Sequence, residues 1–328
     1  MNNNGPLLRV EGLIKHFPIR GGVFSRVKRW VRAVDGVSFT LPSGKTLGLV
    51  GESGCGKSTI ARTILRLMEP TAGRILYRGE DIASCPYRRF RALRKSIQIV
   101  FQDPYASLNP RMNVGSIVGE PLIIHKAYRE REELHERVVY LLERVGLSRD
   151  SLKKYPHEFS GGQRQRIGIA RALSLNPELI VADEPVSALD VSVRAQVINL
   201  FKDLQEEFGL SYLFIAHDLS LIRHISDHVA VMYLGKIVET AVVDDLFDSP
   251  LHPYTQCLIA AVPVPDPDVR TRRIVLKGDV PSPISPPPGC RFHTRCPYRM
   301  PVCSEVEPPL EEVSEGHLAA CHLVGTKA

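Results

Sequence analysis

The chain has no apolar run of the roughly 18–20 residues that a membrane-crossing helix needs, and its opening Met1-Asn2-Asn3-Asn4 carries no signal-peptide core. Both absences predict a cytoplasmic protein. Charge of one sign is also scarce: 42 Lys and Arg against 36 Asp and Glu leave +6, too small and too scattered to argue for nucleic acid. No internal repeat of fixed period is present. Close cysteine pairs are missing as well. Cys290, Cys296, Cys303 and Cys321 are separated by five, six and seventeen residues, whereas zinc modules usually bring ligands in pairs about two to four residues apart. Four cysteines crowded near one end of a cytoplasmic chain suggest metal rather than disulfides. Otherwise the composition, 44% hydrophobic and 24% charged over 328 residues, is that of one large or two medium globular domains.

What is present begins with Thr46-Leu47-Gly48-Leu49-Val50-Gly51-Glu52-Ser53-Gly54-Cys55-Gly56-Lys57-Ser58-Thr59. An apolar strand runs into a glycine-rich turn and then a helix, which is G-x-x-x-x-G-K-S in the context that motif requires. Gly51, Gly54 and Gly56 let the backbone curl around phosphates, and the helix N-terminus adds positive potential. Lys57 would bridge the β- and γ-phosphates of ATP, and the Ser58 hydroxyl would hold Mg²⁺.

Around this loop the chain alternates strands and helices, an α/β pattern. Leu7–Leu13, Val34–Leu41, Gly73–Tyr77 and Ser96–Gln102 read as strands, the last ending in a polar Gln102 suited to Mg²⁺ or an attacking water. Residues 20–32 carry Arg20, Arg26, Lys28, Arg29 and Arg32 with no acid. They read as a solvated basic loop or as an amphipathic element near anionic groups, with Phe24, Val27 and Val31 on one face if helical. From 114 to 147 apolar residues recur at helical spacing, which predicts a helical subdomain. Phe159-Ser160-Gly161-Gly162-Gln163 opens another helix with Ser160 as its cap, and resembles a second anion site. Glu178–Glu184 is a continuous apolar strand, buried on both faces, ending in Asp183 and Glu184. Asp183 would hold Mg²⁺ through water, and Glu184 would polarise an attacking water. Tyr212–Asp218 is another buried strand, ending at His217, a γ-phosphate contact. His228–Tyr233 and Lys236–Glu239 form a hairpin. Beyond Pro250 the prolines rule out long helices and predict an extended tail.

Taken together these motifs resemble the ATP-binding subunits of ABC transporters over about residues 7–255. The resemblance rests on the loop Gly51–Ser58, Gln102, the signature Phe159–Gln163, Asp183 with Glu184, Ser187–Asp190 and His217. Phe159 stands where that family usually has leucine. The stretches Ser107–Met112, Tyr155–Gln163, Pro250–Thr255 and Gly289–Pro297 are similar to the oligopeptide/dipeptide branch, in particular its second-type ATPase.

The resemblance implies a P-loop NTPase core with an antiparallel β subdomain, an inserted helical subdomain at about 114–175, and a Pro/Cys-rich tail. Residues 1–255 would form the nucleotide-binding domain and 256–328 the tail. It further implies that Phe17 stacks on adenine, and that Gly51, Ser53, Gly54, Cys55, Gly56, Lys57, Ser58 and Thr59 hold ATP. Ser160, Gly161, Gly162 and Gln163 would close on the ATP of a partner. Mg²⁺ would be held by Ser58, Gln102 and Asp183, with Glu184, His217 and Gln102 in the catalytic roles. The implied assembly is a bacterial peptide importer at the cytoplasmic face of the cell membrane. This chain would pair there with a paralogous ATPase beneath two integral permeases fed by an extracytoplasmic binding protein. The wide cysteine spacing and the branch resemblance both favour a [4Fe–4S] cluster on Cys290, Cys296, Cys303 and Cys321; zinc, with His293 or His322 as a possible ligand, and free thiols are the alternatives. Two other functions compete: an ABC ATPase without a transport role, as in iron–sulfur assembly, and a nucleic-acid-handling ABC protein, which usually has two cassettes or a long coiled coil.

Overall fold

Residues 5–21, 26–262 and 278–324 are described by the computed structural model, in which strands and helices alternate through most of the chain. In chain order these are β1 (Leu8–Gly21), β2 (Arg26–Leu41), β3 (Thr46–Val50), α1 (Lys57–Ile64), β4 (Ala72–Tyr77), β5 (Glu80–Asp81), α2 (Tyr87–Leu93) and β6 (Ile97–Val100). Next come α3 (Val114–Ile124), α4 (Arg131–Arg144), α5 (Gly161–Leu173), β7 (Leu179–Asp183), α6 (Val191–Phe208) and β8 (Ser211–Ile215). The chain continues through α7 (Leu219–Ile225), β9 (His228–Tyr233), β10 (Lys236–Val242), α8 (Val243–Asp248), α9 (Pro253–Ala260), β11 (Glu311–Ser314) and β12 (His317–Ala319). Two compact units result: Met1–Leu41, Thr46–Ser84 and Ala216–Ala328 form the first, Pro42–Lys45 and Cys85–Ile215 the second.

The first unit holds an antiparallel sheet in the order β2-β1-β4-β5. Its β1–β2 hairpin runs from the pair Leu8↔Leu41 to Gly21↔Arg26, far beyond the short strands read from the sequence. The basic segment therefore corrects the helical option: Val27, Trp30 and Val31 lie on β2, opposite Arg20, Pro18 and Phe17. Branched and aromatic side chains suit a pleated surface, and pairing with β1 satisfies backbone groups that a loop would leave to water. Phe24 lies outside the described residues.

A second sheet of this unit sets β3 parallel to β9 and continues antiparallel through β10, β12 and β11. The tail is thus more than an extended run, since Glu239↔Ala319 and Thr240↔Leu318 join it to β10. Among the described residues the tail forms no long helix, and Pro253 sits in the first turn of the short α9, where a missing N–H costs nothing. His252 caps that helix, its Nδ1 accepting from Tyr254 N at 3.0 Å. The fully buried Glu239 fixes the junction by accepting from Leu251 N (2.7 Å) and His252 N (2.9 Å) and pairing with His317 Nε2 at 2.7 Å. A carboxylate this deep is tolerated because each of these groups compensates it.

In the second unit β6, β7 and β8 are parallel neighbours, and β7 and β8 are buried at every position, as their unbroken apolar runs require. The helical stretch is α3, α4 and α5, with Val138, Val139, Leu141 and Leu142 of α4 buried. Arg171 of α5 donates to Ser107 O at 2.6 Å, which ties the loop after β6 to the helical layer.

Candidate functional site

The phosphate loop lies between β3 and α1 in the first unit. β3 is wholly buried, so the loop springs from a fixed strand end. Gly51 and Gly56 have φ of 152° and 115°, and a Cβ on either would come within 2.1 Å of a backbone oxygen, Met232 O or Ala33 O. No other residue fits at these two positions. Lys57 is 4% exposed. Its Nζ donates to Gly51 O at 2.7 Å and Glu52 O at 3.1 Å, and lies 3.8 Å from Cys55 Sγ. Burial pushes the Cys55 thiol up, against the pull of the Lys57 charge, so it stays protonated at neutral pH. Ser53 and Gly54 are exposed at the loop's crest, while Ser58 and Thr59 are half-buried in the first turn of α1. The loop fits a phosphate chain, with glycines at its closest backbone approaches and an ammonium held by the carbonyls of Gly51 and Glu52.

Two other expected residues belong to this unit. Phe17, on β1, is half-buried, with Lys15 Nζ 5.1 Å from its ring centroid. His217 is exposed just ahead of α7.

The second unit carries the carboxylates and the signature. Asp183, 3% exposed, ends β7, and Glu184 follows it with φ 48°. A left-handed glutamate costs about 1–2 kcal/mol. It is held because Glu184 N donates to Ile215 O (3.0 Å) and Glu184 O accepts from Ser187 N (3.2 Å) and Ser187 Oγ (3.0 Å). This kink turns the side chain out of the strand, and its Oε2 accepts from Gln102 Nε2 at 3.0 Å. Gln102 and Glu184, 82 residues apart, are thus brought together. Ser160 and Gln163 form a capping box: Gln163 N donates to Ser160 Oγ (3.3 Å) and Ser160 N to Gln163 Oε1 (3.0 Å). Both side chains are exposed, whereas Phe159 and Gly162 are buried. A Cβ on Gly162 would lie 2.3 Å from Val193 Cγ1, so α6 can approach only a glycine there.

The expected cluster ligands do not come together as a ready-made site. Among the described residues no group of three or more His, Cys, Asp or Glu is placed to hold a metal ion. Cys290, Cys296, Cys303 and Cys321 are all free thiols, and Cys303 Sγ accepts from Met300 N at 3.5 Å. Burial, reinforced by the charges of Cys303, Cys321 and Cys296, pushes Cys290 up to about 11. Burial likewise raises Cys296 and Cys321, again with neighbouring thiols adding to it. Burial that keeps Cys290, Cys296 and Cys321 protonated denies a cation the thiolates it would need, which is the physical reason that no ready-made site forms. Residues that sequence reasoning missed lie in the same unit: Arg291 pairs with Asp35, and Arg295 with Glu52. Neither pairing has a local signal.

A lysine turned onto the carbonyls of a glycine loop, and a strand-end glutamate aimed at a glutamine, define an ATPase of the P-loop class. Comparison with known proteins narrows this. The ABC transporter family model matches residues 34–187, and the model of the oligopeptide/dipeptide transporter C-terminal region matches 238–303. The chain is 58% identical over 324 residues to the oligopeptide transport ATP-binding protein AppF of Bacillus subtilis, covering 98% of each chain. It is 53% identical to a probable peptide ABC transporter ATP-binding protein, y4tS, of Sinorhizobium fredii, covering 97% of this chain and 90% of the other. Among solved structures it resembles cbiO1 of Clostridium perfringens, part of an ABC transporter complex, with TM-score 0.64 and 26% identity over 75% of this chain and 92% of that one. It also resembles MJ0796 in a dimeric post-hydrolysis state bound to ADP and Pi, with TM-score 0.64 and 27% identity over 72% and 98%. The chain belongs to the ABC transporter family, among its ATP-binding subunits with an oligopeptide/dipeptide-type C-terminal region.

Proposed function

We propose that this protein binds and hydrolyses ATP to drive import of di- or oligopeptides through membrane permeases. The observation that carries the reading is that the chain has two complementary half-sites. One is a loop with its lysine held ready; the other is a capped signature helix whose Ser160 and Gln163 are exposed at its start. The names of the 53–58% identical relatives supply the cargo class.

In this reading Phe17 stacks on adenine, and Gly51 to Thr59 enclose the phosphates. Ser160, Gly161, Gly162 and Gln163 close on the ATP of a second, paralogous ATPase subunit. Ser58, Gln102 and Asp183 would hold Mg²⁺, which supplies charge neutralisation between the β- and γ-phosphates. Glu184 accepts a proton from the water that attacks the γ-phosphorus, the bond to the β-phosphate oxygen breaks, and His217 contacts the γ-phosphate. Two ATP molecules bound at a dimer interface favour its closed state, which gives the differential affinity that a change of permease access requires. Residues 1–255 form the nucleotide-binding module and 256–328 an accessory module of the peptide branch. The subunit works peripherally, at the cytoplasmic face of the cell membrane. No helix among the described residues is long and apolar enough to cross it.

The tail is the second part of the proposal. Cys290, Cys296, Cys303 and Cys321, all free, would supply a Cys₄ donor set for a structural [4Fe–4S] cluster, with zinc as the alternative, once drawn together. Metal binding would displace the thiol protons and draw the ligands inward.

Expression in its native host tests the transport reading. The chain should purify from membranes with two integral permeases and a second ATPase, and a peptide-loaded binding protein should stimulate hydrolysis. Recovery of the chain without permeases would reject it and favour a non-transport ABC ATPase.

A further inference from the structure

The second residue of the phosphate loop is held from the far end of the chain. Arg295 grips Glu52 with both ends of its guanidinium, Nη1 to Oε2 at 2.8 Å and Nη2 to Oε1 at 3.1 Å. The pair is largely out of water, with side-chain exposures of 8% for Arg295 and 25% for Glu52. Arg295 Nη1 also donates to the Tyr233 hydroxyl at 3.4 Å, and Glu52 N donates to the Tyr254 hydroxyl at 2.9 Å. The rings of Tyr233 and Tyr254 pack against the buried Phe292, whose carbonyl accepts from Arg295 N at 2.9 Å. On its other side Glu52 offers its own carbonyl to Lys57 Nζ, so one residue touches both the tail and the phosphate-binding lysine.

A carboxylate is the wrong charge for a loop that receives a polyanion. At the low effective dielectric of a half-buried site, like charges several ångströms apart repel appreciably. A bidentate guanidinium answers this in two ways: it compensates the charge and fixes the direction of the carboxylate.

We propose that Arg295 is a positioning residue for nucleotide binding: by neutralising and orienting Glu52, the C-terminal tail sets the affinity of the phosphate loop. The inference rests on the reading that Gly51–Ser58 bind the phosphates of ATP.

A double-mutant cycle on the full chain tests it, with Mg-ATP affinity as the readout and nucleotide-free melting temperature alongside. R295A should weaken Mg-ATP binding about tenfold, as expected for loss of a charge-assisted pair beside the ligand. In the E52Q background the same substitution should change affinity by less than about twofold, since the carboxylate it answers is gone. R295K, which keeps the charge but not the bidentate fork, should recover part of the loss. Equal losses with and without Glu52, or wild-type affinity in R295A, would overturn the inference. If R295A does not fold, R295Q carries the same comparison. Failure of R295A, R295Q and R295K alike to fold would assign the pair to stability and overturn it too. K57A separates the two layers. Affinity unchanged in K57A refutes the phosphate-loop reading and the inference together, whereas loss in K57A with none in R295A refutes the inference alone.

Discussion

The side-chain amide of Gln102 donates to a carboxylate oxygen of Glu184 at 3.0 Å, so the residues that close β6 and β7 are already joined by a hydrogen bond. Glu184 is strained at φ 48° to make this contact, which separates its cost in stability from its use in chemistry. E184Q should keep ATP binding and lower turnover about 100-fold or more in the assembled transporter. E184G relieves the strain, so it should melt no lower than the unsubstituted chain while losing the same activity. Near-normal hydrolysis by either variant would remove Glu184 from the role of base.

The geometry of Gly56 makes a steric prediction. Its left-handed backbone and the 2.1 Å approach of a Cβ to Ala33 O leave G56A no way to keep the loop closed. Nucleotide affinity should fall at least as far in G56A as in K57A, measured by equilibrium binding. A G56A chain that binds as the wild type would show that the loop can open without cost.

At the signature, two substitutions act on different levels. S160A removes an N-cap acceptor and should cost about 1 kcal/mol in denaturant unfolding, with ATP binding to the isolated chain unaffected. G162A adds a methyl 2.3 Å from Val193 Cγ1 and should disturb the packing of α5 on α6. Both should abolish hydrolysis that depends on a partner's ATP. Full activity in either would exclude the shared-site arrangement.

Acid should destabilise the protein through His252. Burial pushes this imidazole down to about 3 from the usual 6.5, so the fold holds it neutral while the unfolded chain takes up a proton. Its contribution is complete above about pH 6.5 and is lost as pH falls towards 3, with a slope of about 1.4 kcal/mol per unit. H252N keeps an acceptor for Tyr254 N but does not titrate. Its stability should therefore fall less steeply between pH 6 and 4 than that of the unsubstituted chain, as followed by urea unfolding. Parallel curves would show that His252 is not the group responsible.

For the tail cysteines, anaerobic purification should yield about four irons and four acid-labile sulfides per chain, with a brown chromophore that C303S loses. Stoichiometric zinc without sulfide would replace the cluster by a zinc site.

Local chemistry accounts for what could be read in advance. β3, β7 and β8 were legible as unbroken apolar runs, and the glycine loop as a strand-to-helix turn. Ser160 announced a capped helix, and the structure adds Gln163 as its reciprocal partner. The β1–β2 hairpin was less legible. Its outer half is basic and polar, without the alternation that marks a buried face, and only pairing along β1 makes it a strand. The short α9 and the β11–β12 hairpin escaped for a similar reason: proline content says where long helices cannot run, not where a tail finds a sheet edge.

The sequence by itself determined the nucleotide chemistry, because a phosphate loop, a strand-end carboxylate and a helix cap are each built from neighbours along the chain. Tertiary structure alone decided what holds those parts. Glu239 meets His317 across 78 residues, and Arg295 meets Glu52 across 243. Neither partner has a local requirement for the other: folding removes water from both polar groups of each pair at once, and only the closed three-dimensional arrangement says which acid each partner must answer.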